Sequence, residues 1–109
     1  MIFQRVMLYH YAIAVLMRSF YIMINELLLD ISSKDDISLV LPLLLSSEEL
    51  NAINARVLVY KELLLGERSQ REIAKIHNIS IATITRGSNN LKSMSNIEKE
   101  LLQTLLIRK

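Results

Sequence analysis

The sequence GERSQREIAKIHNISIATITRGSNNLK, residues 66–92, decides the fold of this chain. Ser69 and Glu72 have the spacing of a capping box, in which a serine hydroxyl accepts a bond from a backbone N–H and the glutamate reaches back, so a helix should begin here. Asn78 should end that helix, because asparagine tolerates the left-handed conformation of a turn. Ser80 then has the position of the N-cap of a second helix. The stretch therefore predicts a helix-turn-helix.

Packing and charge both support this interpretation. Ile73, Ile79 and Ile84 are spaced to fill the wedge between the two helices, and the small residue Ala74 allows their close approach. The stretch has five basic and two acidic residues, whereas residues 1–65 have five basic and seven acidic. A helix-turn-helix places its second helix in the DNA major groove, and the positive charge is concentrated where a polyanion would dock. An ordinary helical hairpin with a solvated basic face is the alternative.

The composition indicates one helical domain with more apolar surface than it can bury alone. The chain has 109 residues, of which 51% are hydrophobic, and its mean hydropathy is +0.30. Two glycines and one proline leave few turns, which favours an all-α fold. The apolar excess predicts either membrane association or a core shared with another copy of the chain. His10 and Arg18 interrupt the longest apolar run, residues 6–23, and a charge in a bilayer is costly. We therefore predict a homodimer and no membrane partner.

The sequence lacks the motifs that would support a metal-binding protein or an enzyme. The chain has no cysteine, so it forms neither disulfides nor thiolate metal sites. His10 and His77 lack the partners of a metal-binding motif, and His77 should lie on the surface at the end of the first helix of the pair. No nucleophile–base pair is evident, and no signal-peptide cleavage site follows the first apolar run. We predict a cytoplasmic protein that is not an enzyme and needs no metal or cofactor. Met23 is a second possible start, which leaves open whether residues 1–22 belong to the natural protein.

The N-terminal part of the chain is predicted to contain two helices. Residues 1–30 have no proline or glycine and should be helical throughout. The polar residues 31–38 should form a connection. A short helix should follow over residues 39–45, with Pro42 tolerated in its first turn.

A central helix and a C-terminal helix complete the prediction. Ser46 and Glu49 repeat the capping-box spacing at the start of the central helix, and Gly66 has the position that ends a helix. Apolar residues of the central helix repeat at three and four residues and should form one buried face: Leu50, Ile53, Val57, Tyr60 and Leu64. A third capping box should begin the last helix. The predicted single domain, residues 1–109, thus comprises N-terminal dimerisation helices (1–45), a central helix (46–65), the helix-turn-helix (66–92) and a C-terminal helix (93–109).

The run IATITRGSN, residues 81–89, together with SQRE at residues 69–72, resembles the tryptophan repressor family of bacterial regulators. The resemblance is densest over residues 56–92. It is weaker back to about residue 39 and in the C-terminal tail. Members of this family bind operator DNA only when loaded with L-tryptophan. The resemblance implies about six helices in an intertwined homodimer, and a repressor, with L-tryptophan as corepressor, that controls genes of tryptophan biosynthesis or transport.

The resemblance also implies a set of tryptophan-binding residues. Arg56 and Arg86 should enclose the indole ring, and Arg86 should hold the carboxylate as well. Gly87 should leave room for the ring, and Asn90, which stands at a serine position of the family, should lie near the amino group. Backbone carbonyls at the end of the short helix should meet that amino group. From the residues alone, Arg56 would be a solvated or snorkelling side chain, and Arg86 and Gly87 would be a phosphate contact and a packing glycine. The full predicted set is Leu43, Leu45, Ser46, Arg56, Arg86, Gly87 and Asn90.

A set of DNA-contacting residues follows from the same resemblance. It is Gln70, Arg71, Ser80, Ile81, Ala82, Thr83, Thr85, Arg86 and Lys92. Threonine, alanine and isoleucine offer hydroxyl and methyl groups rather than bidentate donors, so direct base readout should be limited. Ala74 stands where the family often has lysine, which leaves the operator sequence open. Two other functions also stay open: a helix-turn-helix regulator without tryptophan dependence, and a helical interaction or membrane-associated protein.

Overall fold

The computed structural model describes the backbone of residues 2–108 and, within the first helix, the side chains of residues 4–5, 7–13, 15–16 and 23–29. In this part of the chain there are six helices and no strand, which confirms the predicted all-α fold. The helices are α1 (Ile2–Leu29), α2 (Lys34–Leu44), α3 (Ser47–Leu65), α4 (Gln70–His77), α5 (Ile81–Ser93) and α6 (Asn96–Leu106). They divide into an N-terminal unit, Met1–Leu44, and a C-terminal unit, Leu45–Lys109. A single domain over residues 1–109 stays a prediction, and its terminal residues lie outside the described part.

The N-terminal unit consists of α1 and α2, and here the predicted connection was wrong. Helix α2 begins at Lys34 rather than at residue 39, because the Ser33 hydroxyl accepts a bond of 3.1 Å from the backbone N–H of Asp36 and so caps the helix earlier. Pro42 therefore lies in the last turn of α2 and not in the first. It has no N–H to donate to the Ser38 carbonyl, and the helix ends two residues later. Among the described helices, none has the length and hydropathy needed to cross a membrane.

Local capping interactions define the helices of the C-terminal unit. Helices α3, α4 and α6 each begin with a predicted capping box. In each box the serine hydroxyl accepts from the backbone N–H of the glutamate at 3.1–3.2 Å, and the glutamate carboxylate accepts from the serine N–H at 3.0–3.3 Å. Gly66 ends α3 with φ +66°, and Asn78 ends α4 with φ +53°, so both predicted helix ends are confirmed.

The core of the C-terminal unit forms where α3, α4 and α5 meet. Val59, Ile73 and Ile84 are completely buried, and burial of an aliphatic side chain of this size contributes about 1.5–3 kcal/mol. Ile79 and Ala74 pack against them, which confirms the predicted isoleucine wedge of the helix-turn-helix. The helix-turn-helix is thus fixed against the central helix through Val59.

The predicted buried face of α3 is wrong for the single chain. Ile53 and Val57, which belong to that face, are 42% and 43% exposed, whereas the buried residues of α3 are Val59 and Glu62. The reason is that α3 has apolar residues on more than one side. Periodicity alone does not tell which side α4 and α5 will cover. The side that contains Ile53 and Val57 stays open.

Candidate functional site

A cavity of about 260 Å³ lies between the central helix α3 and the second helix of the helix-turn-helix, α5. Four residues of each helix line it: Ala52, Ala55, Arg56 and Val59 from α3, and Thr83, Arg86, Gly87 and Asn90 from α5. On both helices these residues recur at intervals of three or four positions, which places them along one helical face. The structure therefore brings together four of the predicted ligand residues, Arg56, Arg86, Gly87 and Asn90.

Gly87 allows the two walls of the cavity to approach each other closely. A Cβ atom at this position would lie 2.5 Å from Cγ1 of the completely buried Val59, and 3.9 Å from Cδ1 of Leu63. No ordinary side chain tolerates a contact of 2.5 Å, so a side chain here would push α5 away from α3. Gly87 is thus a packing glycine, the interpretation that the residues alone gave, and it lines the cavity as well.

Two positive charges stand at the cavity, one on each wall. Arg56 and Arg86 are both exposed, and neither forms an ion pair with any described residue. The rest of the lining is uncharged and mostly small, with two alanines, Val59 and Gly87 among its members. Planar guanidinium groups pair with carboxylates and stack on aromatic rings. The cavity is therefore suited to a small molecule with a carboxylate and a flat apolar part.

The exposed face of the helix-turn-helix carries most of the predicted DNA contacts. Gln70 and Arg71, in the first turn of α4, are exposed. On α5, Ile81 is 49% exposed and Ala82 and Thr85 are exposed as well. The remaining exposed members of the set are Ser80, Arg86 and Lys92. Only Thr83 departs from this pattern, because it is half-buried and lines the cavity.

Comparison with known proteins identifies the family. The model for the family described as Trp repressor protein matches residues 21–106, which is most of the chain. The chain belongs to the Trp repressor family. A Trp operon repressor homolog of Vibrio campbellii is 48% identical over 68 residues, 62% of this chain and 68% of that protein. Homologs of the same name from Photobacterium profundum and Vibrio cholerae are 47% identical over 76 residues (70% of this chain, 72% of that protein) and 49% identical over 69 residues (63% and 67%). Members of the Trp repressor family are transcription regulators and not enzymes, as predicted for this chain.

Two predicted ligand residues of this Trp repressor family member lie in the C-terminal unit but outside the cavity lining. Ser46 is the N-cap of α3, where its hydroxyl accepts from the Glu49 backbone N–H at 3.1 Å. Leu45, the first residue of the unit, is half-buried. Leu43 belongs to the N-terminal unit and is 83% exposed. The roles of these three residues stay predictions.

One hydrogen bond at the cavity involves a residue that the sequence did not single out as functional. The Nδ2 amide of Asn90 donates to the Tyr60 hydroxyl at 3.2 Å and so links α5 to α3. Tyr60 follows Arg56 by four residues, as Asn90 follows Arg86, so the two residues continue the faces that carry the arginines. This common spacing is the signal that could have identified Tyr60.

A cluster of polar side chains around the buried Glu62 also escaped prediction. The guanidinium Nη1 of Arg68 donates to both carboxylate oxygens of Glu62, at 3.1 Å and 3.0 Å, although the Glu62 side chain is only 11% exposed. His77 was expected at the surface, but its Nε2 atom is buried, has no hydrogen-bond partner, and lies 3.7 Å from Glu62 Oε1. The cluster connects α3, the loop after it, and the end of α4.

Proposed function

We propose that this chain is a transcriptional repressor that binds operator DNA when L-tryptophan occupies the cavity between α3 and α5. The observation that carries this proposal is that one helix, α5, both lines the cavity and has an exposed face. Thr83, Arg86 and Gly87 line the cavity, while Ile81 and Thr85 on the same helix are exposed. A molecule bound in the cavity would therefore contact the recognition helix directly.

The lining of the cavity favours an aromatic amino acid as the ligand. The guanidinium of Arg86 would pair with the carboxylate, and Arg56 would stack on the indole ring from the other wall. A volume of about 260 Å³ lies just below the usual range of small-molecule sites, roughly 300–1,000 Å³, which favours a ligand as small as a single amino acid. The names of the relatives, Trp operon repressor homologs, agree with tryptophan as that amino acid.

The effect on DNA binding requires that the ligand distinguish two arrangements of α5. Tryptophan must bind more tightly to the arrangement in which α5 is positioned for DNA. A tenfold increase in DNA affinity needs about 1.4 kcal/mol of such preference. Because Arg86 and Gly87 belong to the cavity wall and to α5, contacts made by the ligand act on the orientation of that helix without an intermediate element.

The proposed DNA-binding form is a homodimer. Two recognition helices in successive major grooves would lie about 34–36 Å apart on a two-fold symmetric operator. Exposed Arg71 and Lys92 would contact the phosphate backbone, while Ala82 and Thr85 would face base edges. We further propose that the target genes serve tryptophan biosynthesis or transport, and that the protein acts in the cytoplasm, where it meets DNA and tryptophan.

Calorimetry tests the ligand. Titration of L-tryptophan into the wild-type protein should give saturable binding at or below millimolar concentration. Arg86→Ala should weaken that binding strongly, because it removes the proposed partner of the carboxylate. Arg108→Ala is the matched control, since it removes the same charge from an exposed position outside the cavity. Absence of saturable binding by the wild type would refute the corepressor proposal.

Selection from a random-sequence duplex library tests the DNA dependence. The library is selected in the presence of L-tryptophan, and the enriched duplex is then titrated with protein at several tryptophan concentrations. We expect affinity to rise with tryptophan for the wild type and for Arg108→Ala, and to lose this dependence in Arg86→Ala. Affinity that is high and independent of tryptophan would instead identify a ligand-independent regulator.

A further inference from the structure

The hydrogen bond between Tyr60 and Asn90 joins the two walls of the cavity one helical turn beyond the arginines. Asn90 lines the cavity, whereas Tyr60 is half-buried and does not belong to the lining. The Nδ2 amide of Asn90 lies 3.2 Å from the Tyr60 hydroxyl. Tyr60 is thus placed to act on a ligand through the Asn90 side chain.

The orientation of an asparagine amide decides what it offers to a ligand. Its Nδ2 end donates two hydrogen bonds and its Oδ1 end only accepts them. In this structure Tyr60 engages the Nδ2 end, and Oδ1 accepts no bond from any described residue. Tyr60 therefore engages one of the two Nδ2 hydrogens, and the amide oxygen is left to accept a bond from a ligand. The two guanidinium groups of the lining, Arg56 and Arg86, can only donate, so this oxygen adds an acceptor that they lack.

We propose that Tyr60 is a positioning residue that holds the Asn90 amide with its oxygen available to the protonated amine of the ligand. The inference rests on the proposed function in taking an α-amino acid as the ligand. An ammonium group can donate to Oδ1, whereas a ligand without the amine leaves this oxygen unpaired. The Tyr60–Asn90 pair thus selects amino acids over compounds with the same ring and carboxylate but no amine.

The experiment compares two ligands that differ only in the amine. L-Tryptophan and indole-3-propanoic acid are titrated calorimetrically into the wild type, Tyr60→Phe and Asn90→Ala. Tyr60→Phe removes only the hydroxyl, so the amide can rotate and present its donor end. We expect this variant to bind L-tryptophan roughly three- to tenfold more weakly, as for loss of one oriented hydrogen bond, while its affinity for indole-3-propanoic acid changes less than about twofold. Asn90→Ala should show the same selective loss.

Tyr11→Phe is the matched control, because it removes the hydroxyl of an exposed tyrosine in α1 and should change neither affinity. An equal loss for both ligands in Tyr60→Phe would assign Tyr60 a packing role and overturn the inference, as would an unchanged ratio of the two affinities. Either result leaves the proposed function standing, since the wild type would still bind L-tryptophan.

Failure of the wild type to bind L-tryptophan would refute the proposed function instead. In that case, the NMR signals of the Asn90 side-chain amide test without any ligand whether the hydrogen bond to Tyr60 is present. These signals should shift between the wild type and Tyr60→Phe, and should not shift in Tyr11→Phe. Signals that are the same in the wild type and Tyr60→Phe would overturn the positioning role of Tyr60.

Discussion

Gly87 combines a packing requirement with a place in the cavity wall. Gly87→Ala should destabilise the protein, because the added Cβ would lie 2.5 Å from Val59 Cγ1. Overpacking of this kind costs about 1–3 kcal/mol, and the better helix propensity of alanine offsets about 0.5–1 kcal/mol of it. We expect a net loss of roughly 0.5–2 kcal/mol, measured as a lower urea midpoint with an unchanged slope.

Val59→Ala provides the control for this prediction. It removes both γ-methyl groups of Val59, including the one that the new Cβ would meet. In that background Gly87→Ala should be neutral or stabilising, so the two substitutions should show a coupling free energy in a double-mutant cycle. The same penalty in both backgrounds would show that the close contact with Val59 is not its cause.

The ion pair of Arg68 and Glu62 supports a second prediction at this scale. Arg68→Ala should cost about 1–2 kcal/mol, because it leaves a carboxylate that is 11% exposed without its donor. The cost should stay below the 3–5 kcal/mol of a fully buried pair, since the Arg68 side chain is 41% exposed. Arg71→Ala, at an exposed position in the first turn of α4, should change stability by less than about 0.5 kcal/mol. Equal effects of the two substitutions in urea unfolding would contradict the role of the ion pair.

At the scale of helices, two capping boxes should make stability depend on pH. A hydrogen bond from the Ser46 backbone N–H lowers the pKa of Glu49 below the ordinary 4.5, and the Ser46 hydroxyl makes a smaller contribution in the same direction. The backbone N–H and hydroxyl of Ser95 lower the pKa of Glu98 in the same way. A carboxylate with a lower pKa in the folded state stabilises that state above the unfolded pKa. This contribution is lost as the pH falls through the folded value. The urea concentration at the unfolding midpoint of the wild type should therefore decrease as the pH is lowered from about 5 to about 3.

Glutamine variants isolate this effect from other acid-dependent changes. Glu49→Gln/Glu98→Gln retains a capping side chain at both helices but does not titrate there. We expect a flatter dependence of the urea midpoint on pH than in the wild type. Glu100→Gln, at an exposed position of α6 that caps no helix, should leave the dependence unchanged. The idea fails if the double variant and the wild type have the same pH profile.

Helix boundaries could be predicted where short-range chemistry decides them. Capping boxes, Gly66 and Asn78 act within a few residues, and the structure confirms each of them. The start of α2 was predicted wrongly because the Ser33 cap was overlooked and Pro42 was assigned to a first turn. The buried side of α3 could not be predicted, since it depends on where α4 and α5 pack.

For the whole molecule, the main feature is the small number of apolar side chains buried within one chain. Among the described residues, only Val59, Ile73 and Ile84 are buried apolar side chains. The open side of α3 has Ile53 and Val57, and α6 has an exposed stripe at intervals of four residues: Ile97 (80%), Leu101 (58%) and Leu105 (52%). Apolar surface of this extent favours the proposed homodimer.

Ile53→Lys tests the contribution of the open side of α3 to that dimer. A lysine here would place a charge in the interface, so we expect a weaker dimer in sedimentation velocity and an unfolding midpoint that depends more strongly on protein concentration. Asn51→Lys introduces the same charge two residues away on the same helix, at another exposed position, and should leave the dimer intact. If the two variants behave alike, this side of α3 is not part of the interface.

The candidate site was predictable only in part, and the reason is distance along the chain. The resemblance identified Arg56, Arg86, Gly87 and Asn90, and the structure brings these four around one cavity. Tyr60 is 30 residues from Asn90, and Glu62 is well separated from His77. Their pairing depends on how α3 packs against the helix-turn-helix. No local sequence pattern contains that information.

The half-buried imidazole of His77 also has a spectroscopic consequence. The chain has two histidines, and the other, His10, lies in α1 and is exposed. Two histidines give two sets of ring-proton signals in the one-dimensional NMR spectrum of the unlabelled protein. Because the His77 ring lies beside Glu62, at the junction of α3 and α4, its signals report on that junction. Addition of tryptophan or DNA can thus be followed at this junction in the unmodified protein, with His10 as an internal reference.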